Sequence, residues 1–156
     1  NLMKNTKHRL LIEQVDQKLA GFKHLKTVVV PQNGWVNTIR IALKMSLRQL
    51  GNRLGITYQS VKEIEQREAN GTITLKTLRE VGNALDLKLV YGFVPKNGSI
   101  EKIIEERALE LARQIVMRTS HTMKLEDQEN SKNRINKSIK NKVEEITDTM
   151  PKYLWD

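Results

Sequence analysis

Between residues 46 and 75 the chain is punctuated as a run of short helices. Ser46 is followed three residues later by Gln49, the spacing at which a hydroxyl and an amide close a helix N-terminus on each other. Gly55 stops that helix and Thr57 caps the next, and Gly71 and Thr74 repeat the stop and the cap. Within these marks apolar residues recur at helical spacing: Leu47, Leu50 and Leu54, then Val61 and Ile64, then Leu75, Leu78, Val81 and Leu85. Upstream, Trp35, Val36, Ile39 and Leu43 fit one more helix, broken at Met45-Ser46. Helices this short are marginal alone, so they must pack on one another around those apolar faces.

The flanks read differently. Residues 1–7 are polar and read as frayed. The chain starts at Asn1, and Met3 is the nearest candidate for a native start. From His8 to Phe22 the residues Ile12, Val15, Leu19 and Phe22 mark an amphipathic helix that Gly21 ends. Thr27-Val28-Val29-Val30, closed by Pro31, is a strand or an extended linker. Leu87-Lys88-Leu89-Val90-Tyr91-Gly92-Phe93 alternates and predicts a short strand before Pro95, with Tyr91 and Phe93 as core residues on its face. Trp35 is likewise expected in the core. Ser99 opens a further helix carrying Ile100, Ile104, Ala108, Leu111 and Ile115. Residues 122–134 are polar and hinge-like. Ile135, Ile139, Val143, Ile146 and Met150 form a last stripe before Pro151 and the apolar tail Tyr153-Leu154-Trp155. That stripe is intramolecular packing or a partner surface, and its distance from the central helices favours the partner. The resulting division is residues 1–34 as N-terminal helix and linker, 35–95 as the central domain, and 96–156 as a helical region for dimer or partner contacts.

Composition narrows the chemistry. With no Cys among 156 residues, a disulfide scaffold, a thiolate zinc site and a cysteine nucleophile are excluded. His8, His24 and His121 are scattered, and no His-Glu-x-x-His spacing occurs. No Walker A loop, dinucleotide glycine fingerprint or nucleophile elbow is present. Asp16 with Glu13, and Glu126-Asp127-Glu129, read as polar helix surface rather than paired catalytic carboxylates. No catalytic residue, metal ligand or cofactor is expected, and an enzyme is not. No run approaches a membrane span and no signal-peptide layout is visible, so a cytoplasmic protein is expected. The 27 Lys and Arg against 18 Asp and Glu leave a charge of +9, which favours anionic partners, nucleic acid first.

The stretch Ser46 to Glu65 gives that charge a place to act. Two short helices meet at a turn containing Gly55, and Gly51 stands where they approach closely. This is the layout of a helix-turn-helix, whose second helix enters the DNA major groove with its N-terminal residues on base edges. Tyr58, Gln59, Lys62 and Glu63 leave the outer face of that helix. Gln59 can pair with adenine, Lys62 can donate to guanine, Glu63 can accept from cytosine, and Tyr58 can meet a thymine methyl or a phosphate. Ser46, Thr57 and Ser60, with Arg48, Arg53 and Arg67, are the candidate phosphate contacts. Lys62 and Arg67 share their helix with Glu63, Glu65 and Glu68, so the positive field comes from flanking helices, including Lys132, Arg134, Lys137, Lys140 and Lys142.

Residues 35–94 resemble the phage-repressor (XRE-like) helix-turn-helix domain, through Met45 to Glu65, Thr74-Leu75-Lys76-Thr77-Leu78 and Ala84-Leu85. The resemblance implies a mainly α fold, with a short β segment and long N- and C-terminal helices around that domain. It also implies a structural ion pair between Arg40 and Glu65, the positions where that family places an Arg and a Glu. Gly34-Trp35, the run Glu68 to Leu75, Leu89 to Pro95, Arg107-Ala108 and His121-Thr122-Met123 further resemble the family called mobile mystery protein A, over roughly residues 3–130. That family is thought to be encoded beside a Fic-domain protein, which implies an autorepressor of a toxin–antitoxin-like operon on a mobile element. The inhibitory helix of Fic antitoxins has its nearest match at Thr122-Met123-Lys124-Leu125-Glu126-Asp127, with the last position departing from the pattern.

The expected partners are double-stranded DNA, a second copy of the chain and a Fic-domain protein. One domain of this size covers few base pairs, so a homodimer is expected, through the C-terminal helices or the 88–93 strand edge. The alternative function is a protein-binding antitoxin that neutralises a toxin through its terminal helices.

Overall fold

Side-chain caps and left-handed glycines set the helix boundaries in the middle of the chain. The structure is a computed structural model that describes residues 2–119 and 128–156. Its helices are α1 (Leu2–Ala20), α2 (Trp35–Ala42), α3 (Leu47–Leu54), α4 (Tyr58–Asn70), α5 (Leu75–Ala84), α6 (Ile100–Thr119) and α7 (Gln128–Thr149), followed by a 3₁₀ turn at Lys152–Trp155. The protein is mainly helical, and no helix among the described residues is long and apolar enough to cross a membrane. The chain divides into two compact units, His24–Gly92 and a second made of Asn1–Lys23 with Phe93–Asp156.

In His24–Gly92 the Ser46 hydroxyl accepts from Gln49 N at 3.0 Å while Gln49 Oε1 accepts from Ser46 N at 2.8 Å. Thr57 Oγ1 accepts from Ser60 N, and Thr74 Oγ1 from Thr77 N, both at 3.1 Å. Gly55 and Gly71 end α3 and α4 at φ of 69° and 76°, a region that costs a Cβ-bearing residue about 1 kcal/mol or more. The core consists of Val36, Leu50, Val61 and Val81, with Leu47, Leu54, Ile56, Ile64, Leu78 and Leu85 packed around it.

The second unit is organised by α6. Ala108 and Ala112, one turn apart and fully buried, give α6 a small-residue surface beside Ile104, Ile146 and Leu154. Ile12, Ile139, Val143 and Met150 close over that core from α1, α7 and the residue after it. Asp16 of α1 caps α6, accepting from Ile100 N at 2.7 Å and Glu101 N at 3.2 Å. Arg107 ties down the C-terminus through Leu154 O at 2.6 Å and Asp156 O at 2.7 Å.

Several expectations change here. The 87–93 segment is not a strand, and no strand occurs among the described residues, because a ladder needs a second chain segment beside it. Tyr91 and Phe93 are therefore exposed rather than core. Trp35 is also exposed. It is the first residue of α2, and the next residue, Val36, takes the buried place. Leu75, the first residue of α5, is exposed as well. α1 begins at Leu2 instead of after a frayed segment, and α7 begins at Gln128, inside the expected hinge. Of the Ile135–Met150 stripe, Ile139, Val143, Ile146 and Met150 complete the core beside α6, which is the intramolecular-packing alternative. Spatial grouping also departs from the three-part division at 34 and 95: Ile12 and Asp16 bind the N-terminal helix to the C-terminal region. Residues 120–127, which carry His121 and the Thr122 to Asp127 match, lie outside the described residues.

Candidate functional site

The α3–turn–α4 pair is built on a close approach. A Cβ on Gly51 would stand 2.7 Å from the carbonyl oxygen of Ile56, so only glycine fits. Ile56 N also donates to Gly51 O at 2.9 Å, which fixes the three-residue turn 55–57 against α3.

The inner face of α4 is anchored three times. Val61 is fully buried. Glu65, also buried, receives Arg40 Nε on one oxygen, and on the other Arg40 Nη2 at 3.2 Å and Asn37 Nδ2 at 3.0 Å. Arg40 Nη1 donates onward to Met45 O at 2.9 Å. The Arg40–Glu65 ion pair thus joins α2, α4 and the bend before α3. Glu68 then accepts from the first two backbone N–H groups of α2, Trp35 N at 2.7 Å and Val36 N at 2.8 Å. A carboxylate there satisfies orphan donors and meets the positive end of the helix dipole. Gly34, at φ 84°, leaves room for it, since a Cβ would lie 2.7 Å from Glu68 Cδ.

The outer face of α4 carries Tyr58, Gln59, Lys62 and Glu63, all exposed. The side chains of Tyr58, Gln59 and Lys62 have no hydrogen bond or ion pair among the described residues. Glu63 meets Arg67 at 3.7 Å, with both side chains more than half exposed. Such a pair is worth only about 0.3–0.5 kcal/mol, so either member exchanges readily for another partner.

The candidate phosphate contacts divide. Ser46 and Thr57 use their oxygens as helix caps, and Thr57 and Ser60 share a hydrogen bond at 2.9 Å. Two hydroxyl hydrogens serve that one shared bond, so one O–H remains to donate outward at the N-terminus of α4. Arg48 is exposed and bears no partner among the described residues. Arg53 instead reaches Ala84 O at the end of α5, at 3.3 Å, and Arg67 is held by Glu63.

Glu68, Asn37, Asp16 and Arg107 were not singled out from sequence as positioning groups. Asp16 had a readable signal, because it stands among Ile12, Val15 and Leu19 on an apolar stripe where a carboxylate needs donors. Read as solvated surface, it is in fact half-buried and bonded. Glu68 had no local signal, since its partners lie more than thirty residues away. Every buried side-chain nitrogen and oxygen among the described residues has a partner. No group of three or more His, Asp or Glu side chains among them could hold a metal ion.

No family model, curated protein or solved structure matches this chain.

Proposed function

We propose that the chain is a sequence-specific DNA-binding transcriptional regulator in which α3 and α4 act as a helix-turn-helix. The observation that carries this reading is the outer face of α4. Its inner face is fixed by Val61, Glu65 and Glu68, while Tyr58, Gln59 and Lys62 project from the first two turns with no partner among the described residues. Those side chains have the reach and the donor–acceptor sets that read base edges in the major groove. Ser46, Arg48, Thr57 and Ser60 supply hydroxyl and guanidinium donors for phosphates, beside two helix N-termini. The formal +9 charge supplies the salt-dependent part of the affinity. Function as a homodimer matches the half-site geometry such domains need. The resemblance to the mobile mystery protein A family extends the proposal to autorepression of a toxin–antitoxin-like operon with a Fic-domain partner, in the cytoplasm.

The test is a salt-titrated binding assay on DNA from upstream of the chain's own coding sequence against scrambled DNA of equal length. A preference of about a thousandfold or more supports operator reading. Equal and weak binding to both would leave only attraction by charge.

A second reading, a protein-binding antitoxin, has one observation in its favour. An open groove of about 1490 Å³ lies between α1, α6 and the end of α7, where Glu13, Glu101, Glu105, Glu106, Glu144 and Asp148 outnumber Arg9, Lys102 and Lys152. An acidic groove on a basic chain suits a basic segment of a partner protein. Deleting α7 and the turn after it would not isolate this function, because Ile146 and Leu154 belong to the core. Charge reversal at Glu105 and Glu106 is the cleaner test: capture of the Fic-domain protein would be lost while DNA binding is retained.

A further inference from the structure

The backbone is left open where α5 gives way to an extended segment. Leu87 N donates to Gly82 O at 2.7 Å, and beyond it no hydrogen bond reaches residues 88–95 among the described residues. The segment also exposes bulk that water does not favour: Val90, Tyr91 and Phe93 are 63%, 60% and 82% accessible. β-branched and aromatic residues with free N–H and C=O groups are the composition of a strand without its neighbour.

We propose that residues 87–93 become a strand by pairing antiparallel with the same segment of a second copy of the chain, in the register that sets Val90 against Val90. Alternation puts Leu87, Leu89, Tyr91 and Phe93 on one face and Lys88, Val90 and Gly92 on the other. A two-fold pair must be centred on a residue, because a half-step shift sets the apolar face of one copy against the Lys88 face of the other. The usable run is short. Asp86 lies at φ 58°, outside extended geometry, and Pro95 has no N–H to donate. Centring on Leu89 would draw in Leu85, the C-cap of α5, and centring on Tyr91 would set Pro95 into the ladder. Centring on Val90 uses residues 87–93 alone. It places Leu87 opposite Phe93, Leu89 opposite Tyr91 and Lys88 opposite Gly92, so no ammonium faces another. Eight apolar side chains then gather on one face of a two-stranded ribbon.

This deepens the homodimer of the preceding proposal, and its test is made without DNA, so failure of one does not entail failure of the other. The chain has no cysteine, so each introduced thiol is unique in its copy. Under mild oxidation Val90→Cys is expected to give a covalent dimer. Lys88→Cys and Gly92→Cys, each alone, are expected to stay uncrosslinked, while their mixture crosslinks. Nitroxide labels on the same thiols give a second readout. They are closest at position 90, while labels at 88 or at 92 stand about 13 Å from their mates along the strand. The double substitution Val90→Pro with Tyr91→Pro, at adjacent residues whose N–H groups point to opposite sides of the strand so that one must face the partner, is expected to shift the mass in light scattering from two chains to one, with helical circular dichroism unchanged. The proposal is overturned by a wild-type chain that is monomeric, by a dimer that survives the double Val90→Pro and Tyr91→Pro substitution, or by label distances equal at 88, 90 and 92. It is equally overturned if thiols at 90 pair with thiols placed at Val29 rather than with each other.

Discussion

The two units of the molecule both use local hydroxyl caps and remote carboxylates, but in different proportion, since Ser99 also caps α6 and Glu68 also caps α2. In His24–Gly92, α3, α4 and α5 are each capped by a hydroxyl three residues upstream of the amide it bonds. In the other unit one hydroxyl, that of Ser99, caps α6, and the half-buried polar contacts span long stretches of chain: Asp16 to Ile100 and Arg107 to Leu154. Local caps leave a helix's flank undemanded. α4 can therefore bury one side, through Val61 and Glu65, and keep the other side for a partner. The terminal unit packs Ile139, Val143 and Ile146 of α7 into its own core.

The largest effect expected is at the buried Arg40–Glu65 pair. Glu65→Ala leaves Arg40 as an uncompensated, largely buried cation and is expected to destabilise His24–Gly92 by about 3–5 kcal/mol, read by urea unfolding. Replacing both partners with apolar residues of similar size recovers most of that loss if the cost is the stranded charge. The matching cut in the terminal unit is Leu154→Ala, which empties a fully buried site at the C-terminal turn and costs about 3 kcal/mol. An effect under about 1 kcal/mol would mean that the tail is not part of that core.

Asp16→Ala sharpens the contrast of means. It removes two charge-assisted hydrogen bonds to the start of α6 and is expected to cost about 2 kcal/mol. The local counterpart, Ser46→Ala, costs about 1 kcal/mol because solvent can replace an exposed cap. If the two losses proved equal, the distinction between remote and local capping would lose its energetic content. Hydrogen exchange places each effect: faster exchange at Ile100 and Glu101 for the first, and at Gln49 for the second.

The same contrast explains what could be read in advance. Ser46, Gln49, Gly55, Thr57, Gly71 and Thr74 act on neighbours within a few residues, so their pattern carried the boundaries of α3 and α4 and the start of α5. Tyr58, Gln59, Lys62 and Glu63 followed from helical periodicity once Thr57 was placed as the cap. What stayed hidden depends on partners distant in sequence. Glu68 is one more acidic residue on a polar helix until α2 presents its N-terminus to it. The C-terminal stripe reads as a free surface because it lies far from the central helices in sequence, and periodicity does not say that the α6 face with Ile104 and Ala108 covers it. The strand expected at 87–93 followed from a true alternation. Alternation specifies a face and not a neighbour, and no neighbour is supplied among the described residues.

The central claim is that the outer face of α4 reads bases. Gln59→Ala tests it most directly, because the side chain is exposed and makes no contact whose loss would disturb the fold. Binding of this variant and of the wild type is measured on the preferred DNA and on random DNA at the same salt. The account predicts a loss of about 1–3 kcal/mol on the preferred site and almost none on random DNA. A loss equal on both, or absent from both, would contradict it.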